Sequence, residues 1–458
     1  MPIDSDLALI QEVRDKVNAA FLAQKKLQEC SQKEIDSLVA HLAYLGEREA
    51  YSLARHAVEE TGFGKLEDKI AKNIFATRDI FNFIKDMKTV GFIDEEIVNG
   101  QSVFKVASPV GIIAGIIPST NPTSTALYKI LISLKSGNAI VLSPHPRSRK
   151  STNHAADIMK QGLEDIGLPV DLVSCMTDSS LEATRTLMSH PCISLILATG
   201  GMGLVKAAYA SGKPAYGVGP GNVPAFIERT ADIRKAVKDI IVSKTFDYGT
   251  ICASEQAVIV EEIISSKVEN EFLKQGAYFL KQDEISALAK ALFPDGKHVN
   301  PELVGQPPDK IAHYSGIRIG SRTKVIMVRL EEAKPDCSLC YEKLSPVLSC
   351  FVRKDWESAC QLCLELLALG GQGHTLSIHS RNENIIREFA LKKPVNRILV
   401  NTPSSHGAIG YSTGLDASLT LGCGTLGGNI TSDNITPMHL LNIKRLAFEI
   451  REVQADND

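Results

Sequence analysis

At 458 residues the chain exceeds the size at which a single hydrophobic core stops growing, so two domains are expected. A formal net charge of -3 and a sequence pI near 6.4 give no electrostatic case for nucleic acid or an anionic membrane surface as partner. The start, Met1-Pro2-Ile3-Asp4-Ser5-Asp6, lacks the basic region and apolar core of a signal peptide, and no apolar run of about 18 residues follows. A cytoplasmic protein is expected, with its ten cysteines reduced.

The first 90 residues read as helical. An amphipathic stretch covers 7–27, Ser31-Gln32-Lys33-Glu34 is a capping box opening a helix that carries Ile35, Leu38, Val39 and Leu42, and Thr61-Gly62 closes a third helix. These helices show core-facing periodicity and no chemistry. Between 89 and 106 the pattern changes to alternation, with Val90, Phe92 and Ile93 on one side of Asn99-Gly100 and Val103, Phe104 and Val106 on the other. That is a hairpin signal, and an isolated hairpin cannot bury its own apolar side. From Val110 onward short apolar strands at 111–117, 139–142, 171–173 and 194–197 alternate with helices, which argues a parallel, doubly wound sheet.

Ligands of such sheets bind where strands end in loops, and three loops qualify. In Pro118-Ser119-Thr120-Asn121-Pro122 an amide at a strand end could donate to charge developing on a carbonyl oxygen, or Asn121 could merely shape a turn before proline; the residues alone do not decide. Ser143-Pro144-His145-Pro146-Arg147 has the look of a rigid turn. Ala198-Thr199-Gly200-Gly201-Met202-Gly203 is not the G-x-G-x-x-G fingerprint, but it opens a helix whose free N–H groups could receive a phosphate or ribose. The stretch 213–222 is too glycine-rich for a strand interior and is expected to run close past a ligand.

Cys252 follows a Gly-containing turn and precedes the β-rich run Ala257-Val258-Ile259-Val260, which places its sulfur on a connection at the mouth of a sheet. A thiol with the ordinary pKa of about 8.5 is a few per cent thiolate near neutrality, and that fraction is already a strong nucleophile. The bland alternative is a small buried hydrophobe. A second alternating block follows, with helices at 265–279, 284–292 and from Trp356 to Leu369, and strands at 323–328, 347–352, 375–379 and 397–400. Cys337/Cys340 and Cys360/Cys363 have the spacing of a four-cysteine zinc site, but the second pair falls on the apolar face of a helix, so no metal is expected. Glu342 precedes a strand, where solvation alone would explain a charge. His374 follows Gly370-Gly371-Gln372-Gly373, where an imidazole titrating near neutrality could serve thiol chemistry.

The run Phe246-Asp247-Tyr248-Gly249-Thr250-Ile251-Cys252-Ala253-Ser254-Glu255-Gln256 resembles the active-site segment of CoA-acylating aldehyde dehydrogenases. It is especially similar to the N-terminal half of bifunctional aldehyde-alcohol dehydrogenases and to stand-alone acetaldehyde, propionaldehyde and succinic semialdehyde dehydrogenases. Matching segments run from about Glu59 to Asn442, and no iron-dependent alcohol dehydrogenase half follows, so only aldehyde and acyl-CoA interconversion is expected. The resemblance implies an α/β fold: a Rossmann-type cofactor domain (1–243, with a small β oligomerisation hairpin at 90–106), an α/β catalytic domain (244–425), and a return segment and oligomerisation tail (426–458). It implies Cys252 as nucleophile and Asn121 as oxyanion donor. Pro144, His145, Thr199, Gly200, Gly201 and Gly203 would hold NAD, Glu342 would contact the nicotinamide ribose, and His374 would assist CoA.

Implied partners are a small aldehyde, CoA as co-substrate and further copies of the chain. The choice of aldehyde, NADP in place of NAD, and association with a microcompartment stay open. Hydrolytic relatives carry Glu-Leu-Gly-Gly-Lys where this chain has Val218-Gly219-Pro220-Gly221-Asn222, so acyl transfer to CoA is expected over release of a free acid. A zinc-stabilised scaffold or a microcompartment-associated binding protein with a decayed site is the rival from another class.

Overall fold

The computed structural model describes residues 5–451, so the end of the expected tail, 452–458, lies outside the described residues. The strands, in chain order, are β1 (Gly91–Val98), β2 (Gln101–Pro109), β3 (Ile112–Ile116), β4 (Ala139–Ser143), β5 (Val173–Cys175), β6 (Ile193–Thr199), β7 (Ala215–Val218), β8 (Val223–Ile227), β9 (Glu255–Glu261), β10 (Ala277–Phe279), β11 (Val325–Arg329), β12 (Val347–Arg353), β13 (Gly373–His379), β14 (Val395–Val400) and β15 (Leu441–Ala447). They form three sheets. One is parallel with order β5-β4-β3-β6-β7, a second is parallel with order β10-β11-β12-β9-β8-β13-β14, and the third is antiparallel with order β1-β2-β15. No helix among the described residues is long and apolar enough to cross a membrane.

Strands β3 and β4 are buried at every position, because helices cover both faces of a parallel sheet and leave no room for alternation. The helix Pro122–Lys135 is buried along its whole length, with proline at its first turn. Its Lys129 ammonium donates to the carbonyls of Ile116 and Leu197, both at 2.8 Å, tying together the C-terminal ends of β3 and β6. The capping box at Ser31 forms as expected, and Gly62 closes its helix in the left-handed region at φ 69°. Asn99 (φ 50°) and Gly100 (φ 81°) make the two-residue turn of the hairpin, and β15 pairs with β2 from Leu441↔Pro109 to Ala447↔Val103.

Four readings need correction. Residues 215–218 are a strand, β7, and not merely a glycine-rich passage. The expected helix 265–279 stops at Lys274 and is followed by β10. The expected strand 171–173 begins at Val173, after a short 3-10 turn. Sheet membership changes between β7 and β8, ahead of the expected 243/244 boundary, because β8 pairs with β9 and β13. Cys360 and Cys363 lie on the inward face of the helix Trp356–Leu369, packed with Phe226 and Phe389.

Candidate active site

The two parallel sheets meet end to end across a cavity of about 750 Å³. One wall is the C-terminal edge of the five-stranded sheet: the loops after β3 (Ile117 to Asn121), β4 (Pro144, His145, Pro146) and β6 (Gly200, Gly201, Gly203). The strand order reverses between β3 and β6, and that is where open α/β sheets bind ligands. The other wall is made by loops that precede strands of the seven-stranded sheet, Thr250 to Cys252 before β9 and Glu342 and Leu344 before β12. Asn121, Pro144, His145, Thr199, Gly200, Gly201, Gly203, Cys252 and Glu342 all line this one cavity. His374 does not; it is buried in β13 behind Gly221.

Cys252 sits on a tight turn, with the Ser254 N–H donating to the Ile251 carbonyl at 3.0 Å, and its side chain is half-buried. Burial, and after it the Glu342 carboxylate, push the thiol up to about 12. The thiolate fraction in this resting geometry is therefore well below the few per cent of an ordinary cysteine. Upstream, Asp247 and Tyr248 both adopt positive φ (50° and 51°), a strained turn for non-glycine residues. The fully buried Asp247 carboxylate holds it in place, accepting from Lys65 N–H (2.8 Å), Lys69 Nζ (3.0 Å), Lys72 Nζ (2.5 Å) and Thr250 Oγ1 (2.7 Å). Burial alone would raise this carboxyl; Lys69 and Lys72 overcome it and hold the group below the usual carboxylate range.

Asn121 precedes its helix without capping it. Its Oδ1 accepts from Lys72 Nζ at 2.6 Å and its Nδ2 donates to the Thr250 carbonyl at 2.9 Å. An ammonium can only donate and a carbonyl can only accept, so the amide cannot flip. The second Nδ2 hydrogen meets only the Thr120 hydroxyl at 3.4 Å, beside the cavity.

On the nucleotide side, the Thr199 and Ser179 hydroxyls are buried without a partner, and both residues line the cavity. Gly201 precedes the helix Met202–Ala210, and a Cβ added at Gly201 or Gly203 would meet no atom within 4 Å. Orphaned donors, an open glycine loop and a helix N-terminus fit a dinucleotide. His145 accepts from the Arg147 N–H at 3.1 Å through Nδ1, and burial, then Arg147, lower its pKa.

One expectation fails here. Burial and the neighbouring Arg397 push His374 down to about 3, so it does not titrate near neutrality; its Nε2 has no partner. The segment 218–222 contains no carboxylate, yet the fold delivers one to it from elsewhere: Glu342 Oε1 accepts from the Gly221 N–H at 3.3 Å, and burial raises its carboxyl to about 7. The sequence reading also passed over Lys69, Lys72 and the side chain of Asp247. The three-residue spacing of the lysines puts both on one helical face, but nothing local joins them to an aspartate 175 residues beyond Lys72.

A family model described as "Aldehyde dehydrogenase family" matches residues 6–283. The chain is 43% identical over 443 residues to the bifunctional aldehyde-alcohol dehydrogenase of Escherichia coli, covering 96% of this chain and 49% of that protein. It is 36% identical to the succinate-semialdehyde dehydrogenase (acetylating) of Clostridium kluyveri, covering 96% and 97%. Among solved structures, an acetylating aldehyde dehydrogenase from Geobacillus thermoglucosidasius superposes with a TM-score of 0.97 at 50% identity, covering 99% of this chain and 100% of that one. The chain thus spans about half the length of the aldehyde-alcohol dehydrogenases it matches and nearly all of the single-function enzyme. With a cysteine and an oriented asparagine facing a dinucleotide-sized cavity between two parallel sheets, this chain belongs to the aldehyde dehydrogenase family.

Proposed function

We propose that the chain interconverts a short-chain aldehyde and its acyl-CoA, with NAD as cofactor, through a thioester on Cys252. The observation that carries this reading is the half-buried Cys252 sulfur in the cavity wall, beside an Asn121 amide whose orientation is fixed. The chain is an oxidoreductase acting on aldehydes. The Cys252 thiolate, its proton released to solvent, adds to the carbonyl carbon, and the Asn121 Nδ2–H and the Cys252 N–H receive the resulting oxyanion. The nicotinamide, when bound, supplies the hydride acceptor. Thr199, Gly200, Gly201 and Gly203 would hold the cofactor with Pro144 and His145, and Glu342 would contact its ribose. The CoA thiol then displaces the acyl group from Cys252. His374 is proposed to assist the CoA step; burial pushes its imidazole down to about 3, so it would act as a neutral hydrogen-bonding group.

Acyl transfer to CoA is supported by the acetylating relatives in C. kluyveri and G. thermoglucosidasius. One observation favours the hydrolytic alternative: the Glu342 carboxylate against Gly221, in the region where hydrolytic relatives keep their base. A single experiment separates the two. Enzyme, NAD and acetaldehyde without CoA should give at most about one NADH per active site, turnover should begin on adding CoA, and Cys252→Ala should do neither. Sustained acid production without CoA would overturn the acyl-transfer reading. The three-stranded sheet exposes Phe92 (64%), Ile97 (69%) and Leu446 (43%), which supports assembly into a homo-oligomer through that sheet.

A further inference from the structure

Beneath the Cys252 turn lies a buried charge cluster that the reaction as described above does not use. Its members are Lys69 and Lys72 from the helix Leu66–Ile74 and Asp247 from the strained turn, at 3%, 5% and 0% exposure. One carboxylate stands between two ammoniums. Asp68 adds no full compensation, since it accepts from the Asp247 N–H at 2.7 Å and pairs with the half-buried Lys65 at 3.7 Å. The cluster therefore carries excess positive charge, and isolated buried charge is expensive unless something anionic answers it.

The excess faces the cavity. Lys69 donates to the Thr120 carbonyl at 2.9 Å. Lys72 has three N–H groups and spends them on Asp247 Oδ2 (2.5 Å), Asn121 Oδ1 (2.6 Å) and the Thr250 carbonyl (3.1 Å), and it lines the cavity wall. Immediately after Ile74 the helix passes into a π turn, Phe75–Asp79, an irregularity frequent at functional sites. We propose that Lys72 is a positioning residue for the oxyanion site, its ammonium clamping the Asn121 amide by the oxygen so that the Nδ2–H points at, and is polarised toward, the oxygen of the bound aldehyde. This rests on the assignment of Asn121 as oxyanion donor. A cation bonded to the amide oxygen draws electron density from the N–H and strengthens it as a donor. The competing role is mechanical: Lys72 pins the Asp247 turn and does nothing else.

The two roles separate on Cys252 reactions that do and do not build an oxyanion. In Lys72→Met the NADH burst with saturating NAD and aldehyde should slow by about ten- to a hundredfold with little change in KM, less than the about 10²- to 10³-fold cost of losing an oxyanion donor outright. Alkylation of Cys252 by iodoacetamide, which forms no oxyanion, should stay within about twofold of wild type. In an Asn121→Ala background Lys72→Met should cost little more, because the lysine acts through the amide. A burst at the wild-type rate in Lys72→Met, a parallel loss of burst and alkylation, or additive losses with Asn121→Ala would each overturn the proposal. An Asn121→Ala enzyme with a wild-type burst would instead overturn the oxyanion assignment beneath it. Lys72→Gln, which can still donate to Asp247, repeats the test if the methionine variant does not fold.

If neither variant folds, the wild-type enzyme decides. Burial, opposed by Asp247, brings Lys72 down to about 8, so the ratio of burst rate to alkylation rate should fall as pH rises through that value; a ratio that stays constant would overturn the proposal. The charged and titratable groups around Lys72 are Asp247 and Lys69 in contact, Asp68 beyond them, and His406 across the Phe246 ring.

Discussion

Gly221→Ala tests whether the Cys252 loop is held by backbone contact with the segment that links β7 to β8. A Cβ at position 221 would lie 2.1 Å from the Cys252 carbonyl oxygen and 3.1 Å from its carbonyl carbon, with the His374 ring at 3.4 Å. Real Cβ contacts stop near 3.0 Å, so the two backbones must part by at least 0.9 Å. The 221 side cannot yield. Asn222 Nδ2 donates to the carbonyls of Cys340 and Leu366, both at 2.9 Å, and Gly371 packs so closely that its own Cβ would lie 2.4 Å from the Asn222 nitrogen. The shift therefore falls on Cys252. Misplacing a reacting group by about 1 Å costs about 10²-fold in rate, and the overpacking costs about 1–3 kcal/mol of stability. The assay is the NADH burst and CoA-dependent turnover, with a melting curve to confirm folding. Gly203→Ala is the control: its Cβ meets no protein atom within 4 Å, so kcat should hold and only the KM for cofactor should rise. A folded Gly221→Ala enzyme within about fivefold of wild type would refute the reasoning.

Glu342→Gln removes the carboxylate that, after burial, raises the Cys252 thiol, so alkylation of Cys252 should shift to lower pH. Because that carboxyl is itself raised to about 7, the difference should vanish below neutrality, where it is already protonated; an unchanged alkylation profile above pH 7 would show that the two groups do not interact. Deleting the chain from Ile443 strips β2 of its partner from Ala107 to Val103 and exposes a sheet edge. Light scattering should then find monomers or aggregates, and a particle of wild-type size would remove the three-stranded sheet from the assembly.

What could be read from the sequence was local. Asn99-Gly100 supplies both positive φ angles its turn needs, the capping box is complete within Ser31 to Glu34, and β3, β4 and β6 are continuous apolar runs between helices. Strand β8 was hidden by Pro224, which ordinarily argues against a central strand. The fold accommodates it with a register shift against β9 between Val223 and Pro224, while pairing with β13 begins only at Ala225. At the site, residue types at loop ends singled out Cys252 and the glycines of 200–203, while Asn121 was singled out only by the resemblance. What escaped was everything set by distant chain: the Glu342 carboxylate that reaches Gly221 across 121 residues, and the burial that silences His374. Both depend on how the second sheet is laid against the first, which no local pattern encodes.

The two walls also differ in charge, and that bears on how a carbonyl would sit at Cys252. On the Asn121 side lie Lys69 and Lys72 against a single buried carboxylate; on the Gly221 side lies Glu342. A C=O dipole brought to the Cys252 sulfur is lowest in energy with its oxygen toward the lysines and Asn121 and away from the Glu342 carboxylate. That orientation leaves the opposite side of the carbonyl carbon toward the wall that bears Glu342. An oxygen turned the other way would meet a like charge as it became an alkoxide. The arrangement that favours adding the thiol thus also fixes which way the tetrahedral centre faces, before any contact with the aldehyde's own side chain is made.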